Sequence, residues 1–198
     1  MFDRVTEFEN IIAEFFGSPY AVAVDCCTHG IELALRLQSI KQTACPKHTY
    51  VSVPMTLKKL DIEWEWQEKS WIEYYFLADT NIADAAVLWR ENSYLAGSIM
   101  VLSFQFKKHL GLGRGGMILL DDRKDHQKLI RMSYDGRDRN TPWAEQDIAE
   151  IGYHYYMTPE TANQGIVKFD QVKLLTPKIW SNHDYPDISK MKVFSNAE

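Results

Sequence analysis

The sequence predicts an α/β fold in which helices flank a mixed or mostly parallel sheet. Short apolar runs, typical of buried strands, alternate with helical patterns along the 198 residues, a length that suits one domain. The clearest strands are residues 99–102 and 117–120, which lie on either side of a glycine-rich segment. In such sheets, ligands bind where loops converge at the strand ends. The functional residues are therefore expected at these ends.

The first part of the chain predicts a helix, a strand and a second helix in succession. Residues 1–16 repeat apolar side chains at helical spacing, and Gly17 ends that helix. A strand over residues 20–25 leads into a helix over residues 28–37, and alternation over residues 63–66 indicates a further strand. The apolar helix positions are Phe8, Ile11, Ile12 and Phe15 in the first helix, and Ile31, Leu33, Ala34 and Leu37 in the second.

Composition and charge narrow the classes of function. Hydrophobic residues make up 45% and charged residues 25% of the chain, as in an ordinary globular protein. The net charge of −5 argues against nucleic acid as the main partner. No apolar run is long enough for a membrane span, and the first residues do not resemble a secretory signal. The three cysteines, two of them adjacent, do not suggest a disulfide framework, so a reducing cytoplasm is expected.

The glycine-rich segment at residues 103–117 contains Lys107 and Lys108 between two buried strands. A lysine held in such a turn can be partly desolvated, which lowers the pKa of its amine. The free amine can then form a Schiff base with an aldehyde. The alternative interpretation is a solvated basic turn, because lysine and glycine are ordinary turn residues.

Two other positions carry chemistry that fits a phosphorylated, aromatic cofactor. Asp84 lies among small apolar residues at the end of a strand-like run, and a buried carboxylate needs a partner, such as the pyridine nitrogen of pyridoxal phosphate (PLP). Thr28 opens the second predicted helix, whose free backbone N–H groups suit a phosphate. The alternative for each residue is a helix N-cap.

The order of these segments resembles the PLP-dependent sugar-nucleotide aminotransferases of the DegT type, which belong to the fold-type-I transaminases. The resemblance extends over most of residues 5–175, and its specificity comes from the ordered combination of motifs. The matching segments are VDCCTHG at 24–30, PKHTYVS at 46–52, DAA at 84–86, SFQFKKHLG at 103–111, GGM at 115–117 with the acidic pair at 121–122, and IGYHYYMTPE at 151–160.

The resemblance implies a role for each matching residue. Lys108, five residues after Ser103, falls in the Schiff-base position, and Asp84 would pair with the pyridine nitrogen. Tyr50 would stack on the cofactor ring. The phosphate would be held by Thr28, the backbone around Cys27, and Ser103. His154 would reach the phosphate of a neighbouring subunit, because family active sites lie at a dimer interface.

The implied activity is transfer of an amino group from an amino acid, expected to be Glu, to a keto-sugar nucleotide through the lysine Schiff base. The implied assembly is a homodimer. The implied architecture is a three-layer PLP-transferase large domain over residues 1–176. Residues 177–198 would form an irregular C-terminal extension, and the small C-terminal domain would be largely missing.

Departures from the family pattern leave alternatives open. Val87 stands where the family usually has Gln or His, and the chain is much shorter than family members. A non-catalytic remnant that binds PLP or has lost it is one alternative. A related PLP dehydratase, with His109 in place of the lysine, is another, although the spacing from Ser103 favours Lys108. A zinc site is a further alternative, with Cys27, His29, Cys45 and His48 as its ligands, but Cys27 and His29 are closer in sequence than the ligands of a usual zinc hairpin.

Overall fold

Helices and strands alternate through residues 2–194, the part of the chain that this computed structural model describes. The α-helices are α1 (Asp3–Phe16), α2 (Cys27–Leu37), α3 (Ser52–Lys59), α4 (Arg123–Ser133) and α5 (Pro159–Val172). The strands are β1 (Tyr20–Val24), β2 (Gln42–Pro46), β3 (Glu63–Gln67), β4 (Tyr75–Phe76), β5 (Ile82–Asp84), β6 (Ile99–Ser103) and β7 (Gly116–Leu120). Among these residues, none of the helices is both long and apolar enough to cross a membrane.

The main sheet has the strand order β1-β7-β6-β5-β4 and is mixed, which confirms the predicted fold class. Strands β5 and β6 run parallel, whereas β7 is antiparallel to both of its neighbours, β1 and β6. Strand β1 therefore runs in the same direction as β5 and β6. The carboxyl ends of these three strands meet at one edge of the sheet, and the residues that follow them are brought together there.

A second sheet consists of β2 and β3, which pair in parallel. It is tied to the main sheet by the turn after β4, because the hydroxyl of Thr43 donates to the carbonyl of Ala78 at 2.8 Å. The backbone N–H of Ala78 also donates to the carbonyl of Ala44. The chain that leaves β2 is thereby directed toward the edge at which β5 ends.

Apolar side chains cover both faces of the main sheet and so give the fold three layers. Along β6, Met100 and Leu102 belong to the core beneath α1 and α5, whereas Val101 belongs to the core beneath α2 and α4. This alternation follows from the two-residue period of a strand. It explains why the run reads as continuously apolar in the sequence, since both of its faces are buried.

Most predicted elements are present, with shifted ends. The helix predicted from residue 28 begins one residue earlier, at Cys27, and the apolar run at 71–77 contributes only a two-residue strand. Met1, at the start of the first predicted helix, lies outside the described residues. Residues 177–194 form only short 3-10 turns, and these pack against the domain. The division of the chain at residue 176 stays a prediction.

The contact between α1 and α5 depends on Gly165, and its substitution by alanine tests the packing. A Cβ at this position would lie 2.5–2.9 Å from ring carbons of Phe8, whose side chain is fully buried and has no space to move. We expect Gly165→Ala to lower the free energy of unfolding by about 1–3 kcal/mol, as overpacked cores do. Urea denaturation measures the change. Asn163→Ala, on the exposed face of the same helix, is the matched control and should show no such loss.

Candidate active site

The strand ends hold a loop that carries Lys108 between β6 and β7. This loop folds back on itself, because Phe106 N–H donates to the carbonyl of Gly113 at 3.2 Å and Lys108 N–H donates to the carbonyl of Gln105 at 2.7 Å. Gly113 has a φ of 88°, a left-handed conformation that glycine adopts without strain. The glycines therefore close a tight loop that presents one lysine inward.

The amine of Lys108 is half-buried and contacts two aromatic residues from the end of the chain. Its Nζ donates to the hydroxyl of Tyr185 at 3.5 Å and lies 5.2 Å from the ring centre of Trp180. Burial lowers the pKa of Lys108, and the negative charge of Asp84 opposes this only in part. In contrast, the Nζ of Lys107 lies over the ring of the exposed Phe106. The two lysine amines thus lie in different surroundings, and the Schiff-base role of Lys108 stays a prediction.

Asp84 is the last residue of β5, and it is buried with 7% of its surface exposed. Its Oδ2 accepts a hydrogen bond from the hydroxyl of Tyr75 at 2.8 Å, and its Oδ1 accepts one from the N–H of Ala86 at 3.0 Å. Burial raises the pKa of Asp84, while these two bonds and the nearby Lys108 partly counteract it. The alternative that Asp84 caps a helix is wrong, because turn residues follow it instead of a helix.

The turn between β1 and α2 has a different cap from the one expected. Cys26 is the N-cap of α2, and the hydroxyl of Thr28 instead pairs with the hydroxyl of Ser52 at 2.8 Å. The thiol of Cys27 is directed at the carbonyl of Val101, 3.6 Å away, and burial raises the pKa of that thiol. Two hydroxyl groups therefore lie together at the start of an eleven-residue helix.

The turn between β1 and α2 packs closely against β7 at Gly116. A Cβ on that glycine would lie 2.7 Å from the backbone nitrogen of Cys27 and 2.8 Å from the carbonyl carbon of Cys26. Real Cβ atoms do not approach other atoms so closely, so the position requires glycine. The close contact fixes the height of the turn above the sheet edge.

A network of charges beside the turn was missed by the sequence reasoning. Asp25 accepts hydrogen bonds from His29 and from Arg114, both at 2.7 Å. The ring of His29 stacks on Tyr155 with 3.7 Å between their centres. Burial alone would lower the pKa of His29, but its contacts with Asp25 and Cys26 raise it to about 9. The four-residue spacing from Asp25 to His29 was the available signal for this pair.

The other predicted site residues lie in different surroundings. The hydroxyl of Ser103 accepts a hydrogen bond from the N–H of Gln105 at 3.3 Å. Tyr50 is 59% exposed, and its phenol is near enough to Tyr185 to influence the pKa of that residue. His154 is exposed and pairs with Asp135 at 2.9 Å, so its described contacts are not with the Lys108 loop. Its role in a dimer stays a prediction.

A cavity of about 230 Å3 adjoins Lys108. Residues of the predicted site line part of it, and two residues from the end of the chain, Lys178 and Trp180, line another part. Sequence reasoning missed both of these, because their stretch has no helical or strand periodicity. The lining residues include Val87, Trp89, Ser103, Lys107, Lys108, Lys178 and Trp180.

The alternative zinc ligands are not gathered into one site. Cys45 is buried within β2, and the Nδ1 of His48 is hydrogen-bonded to the carbonyl of Tyr185 at 2.9 Å. Within residues 2–194, the group of potential ligands that lies close together consists of Asp25, Cys26 and His29. Only His29 is shared with the expected set, and it is already paired with Asp25.

Solved structures with the same fold place this chain in the PLP-transferase fold. AtS13 from Actinomadura melliaura has a TM-score of 0.75 and 23% sequence identity over 85% of this chain and 60% of its own. The PLP form of Spr1654 from Streptococcus pneumoniae has a TM-score of 0.70 and 15% identity, over 85% and 59%. DesI, crystallised with its TDP-sugar product, has a TM-score of 0.67 and 17% identity, over 85% and 53%. The chain thus spans about 60% or less of the length of these proteins.

Residues 1–63 and 87–180 match the DegT/DnrJ/EryC1/StrS aminotransferase family, and the chain belongs to that family. The resemblance inferred from the motifs is thereby confirmed. The matched residues leave out 64–86, which include Asp84, and end before Tyr185. No curated protein matches the sequence.

The charge network makes stability depend on pH through His29. The ordinary pKa of histidine is 6.5, and in the folded protein that of His29 is about 9, so the folded state holds an extra proton between these values. The stabilisation is therefore complete below pH 6.5 and is lost as the pH rises to 9.

Urea denaturation at a series of pH values tests this dependence. We expect the free energy of unfolding to fall across this range in the parent protein and to fall less in His29→Gln. The difference between the two proteins isolates His29 from other groups that titrate there. Identical slopes would show that the Asp25 contact does not hold the proton.

Proposed function

We propose that this chain is a PLP-dependent aminotransferase that moves an amino group from an amino acid, expected to be Glu, to a keto-sugar nucleotide. The observation that carries the proposal is the environment of Lys108. Its amine is half-buried beside a cavity, and burial lowers its pKa. A lysine of lowered pKa is a better nucleophile at neutral pH than an ordinary one. The chain that holds it belongs to an aminotransferase family.

The donor groups at the strand ends fit pyridoxal phosphate. Asp84 is a buried carboxylate whose hydrogen bonds come from neutral groups, so a cationic pyridine nitrogen would compensate its charge. The hydroxyl groups of Thr28, Ser52 and Ser103 suit a phosphate, as does the helix N-terminus at Cys27. The exposed face of Tyr50 is free for an aromatic ring to stack on it.

Pyridoxal phosphate, when bound, supplies an aldehyde that reacts with amines and a ring that accepts the electrons released at the substrate carbon. Lys108 would bind the aldehyde through its neutral amine and later carry a proton to and from the substrate carbon. Asp84 would keep the ring nitrogen protonated through a charge-assisted hydrogen bond. The hydroxyl groups at Thr28 and Ser103 would fix the phosphate and thus the angle at which Lys108 meets the aldehyde.

The proposed substrates and assembly rest on the relatives. DesI, one of the solved structures with this fold, was crystallised with a TDP-sugar product, which supports a nucleotide-linked sugar as the acceptor. The PLP form of Spr1654 supports the cofactor. We also propose a cytoplasmic homodimer in which residues 1–176 form the catalytic domain and His154 contributes to the partner subunit. Sedimentation equilibrium would measure the oligomeric state.

The lysine assignment is tested by trapping the bond to the cofactor. The full chain is incubated with PLP, reduced with borohydride and digested, and mass spectrometry locates the phosphopyridoxyl group. We expect the group on Lys108 in the parent protein and in Lys107→Ala, because the Lys108 amine is half-buried and burial lowers its pKa. The group should be absent from Lys108→Ala. Trapping on Lys107 in that variant at the parental level would contradict the assignment.

A second candidate function is a PLP-binding remnant without turnover. The observation that favours it is Val87, whose apolar side chain lines the cavity beside Lys108 and cannot hydrogen-bond to a cofactor. The two functions differ in the half-reaction with glutamate. We expect the unreduced, PLP-loaded chain to release one equivalent of 2-oxoglutarate per bound PLP, as measured by mass spectrometry of the small molecules. A chain that traps PLP on Lys108 but releases no 2-oxoglutarate would be the remnant, or would use another donor; a panel of other amino acids separates these outcomes.

A further inference from the structure

Residues 177–191, which we call the C-terminal strap, lie across the candidate active site. The strap is fixed at one end by Trp71, whose N–H and carbonyl are both bonded to Asn182, at 3.3 and 3.1 Å. Close to this contact, the N–H of Glu73 donates to the carbonyl of Trp180 at 2.8 Å. The strap thus pairs with the segment that leads into β4.

The other end of the strap is fixed to the segment that follows β2. The N–H of Ile188 donates to the carbonyl of Lys47 at 3.0 Å, and the side chain of Ile188 is only 1% exposed. The Nδ1 of His48 is bonded to the carbonyl of Tyr185 at 2.9 Å. Anchors on both sides therefore hold the intervening residues over the strand ends.

The strap is also ordered within itself. Ser181 and Asp184 form a capping box at the two ends of a short turn. The side chain of each residue accepts a hydrogen bond from the backbone at the opposite end of that turn. Lys178 pairs with Asp184 at 2.6 Å, and its Nζ lies 3.7 Å from the ring centre of Trp180. Two lysine amines, those of Lys178 and Lys108, therefore lie near the Trp180 ring.

Tyr185 completes this arrangement at the centre of the strap. Its ring packs against Trp71 and Trp180, with 5.4 and 6.2 Å between ring centres. Its hydroxyl is 3.5 Å from the Nζ of Lys108. Burial, together with the nearby charge of Asp84, raises the pKa of Tyr185, so the phenol stays neutral and can accept a hydrogen bond from the amine.

We propose that the C-terminal strap completes the active site, with Tyr185 as a positioning residue that holds the Lys108 amine and Trp180 as the wall of the adjoining cavity. Tyr185 lies beyond the residues that match the family, so its assignment comes from the structure of this chain alone. The inference deepens the proposed function and rests on it, because holding Lys108 matters if Lys108 is the reacting amine. The test below needs no cofactor.

Competitive labelling of lysines measures how far the strap screens Lys108. The full chain without PLP is treated with trace acetic anhydride, digested with chymotrypsin, and analysed by fragment-ion mass spectrometry. The labelling of Lys108 is expressed relative to Lys107, which is adjacent in sequence but lies over the exposed Phe106. This ratio cancels differences in reagent concentration, and a control variant accounts for general loosening of the fold.

Three variants test which contacts of the strap screen Lys108 from labelling. In Trp180→Ala the ratio should rise about fivefold, because a cation–π contact and the wall are lost together. In Tyr185→Phe, which removes only the hydroxyl, it should rise about twofold, corresponding to one weak hydrogen bond. Phe194→Ala is the matched control, since this aromatic residue packs on Trp64 and Trp66 and should leave the ratio unchanged.

The proposal is overturned if neither Trp180→Ala nor Tyr185→Phe changes the ratio. It is also overturned if Phe194→Ala raises the ratio as much as Trp180→Ala, since the strap would then act only through general loosening. Tyr185→Phe preserves the ring and so keeps the test valid if Trp180→Ala does not fold. Failure of the proposed function would look different: the ratios would change as expected, but PLP would not be trapped on Lys108.

Discussion

The reversed direction of β7 within the main sheet is the constraint on which the candidate site depends. Because β7 pairs antiparallel with both β1 and β6, it returns the chain across the sheet and aligns β1 with β5 and β6. Their carboxyl ends then bring the turn between β1 and α2, Asp84 and the Lys108 loop to a single edge. Gly116, at the first position of β7, lets the turn at Cys27 approach within contact distance of the sheet. One strand therefore sets both the direction and the spacing of the site.

Asp84 and Lys108 are both removed from solvent, and the contacts of each only partly offset the effect of burial on its pKa. Burial raises the pKa of Asp84 and lowers that of Lys108, and each charge reduces the shift of the other. No direct ion pair joins them, in contrast to Asp25, which is neutralised by His29 and Arg114. A carboxyl group whose pKa is raised and an amine whose pKa is lowered by burial together mark a candidate ligand site. The cluster of Asp25, His29 and Arg114, whose charges are already paired, is suited to holding the turn between β1 and α2 in place.

The sequence predicts those parts of the fold in which apolar residues recur at a regular spacing. The buried strands and amphipathic helices follow directly from their apolar spacing. The family resemblance singles out Lys108 by its distance from Ser103, and that role stays a prediction. The strap could not be predicted, because it is held by backbone bonds to Trp71 and Lys47 and by single aromatic contacts, which leave no periodic pattern. The hydroxyl pair of Thr28 and Ser52 depends in the same way on how two helices meet. Sequence spacing alone does not determine such contacts.

The order of the elements has a consequence for how the chain folds as it is synthesised. The pairing of β1 with β7 joins residues that are about a hundred positions apart, so β1 has no neighbour in the sheet until β7 has been translated. The strap is translated later still, since Tyr185 follows its contact His48 by 137 residues. The strap can therefore dock only after the strands whose ends it covers have all been synthesised.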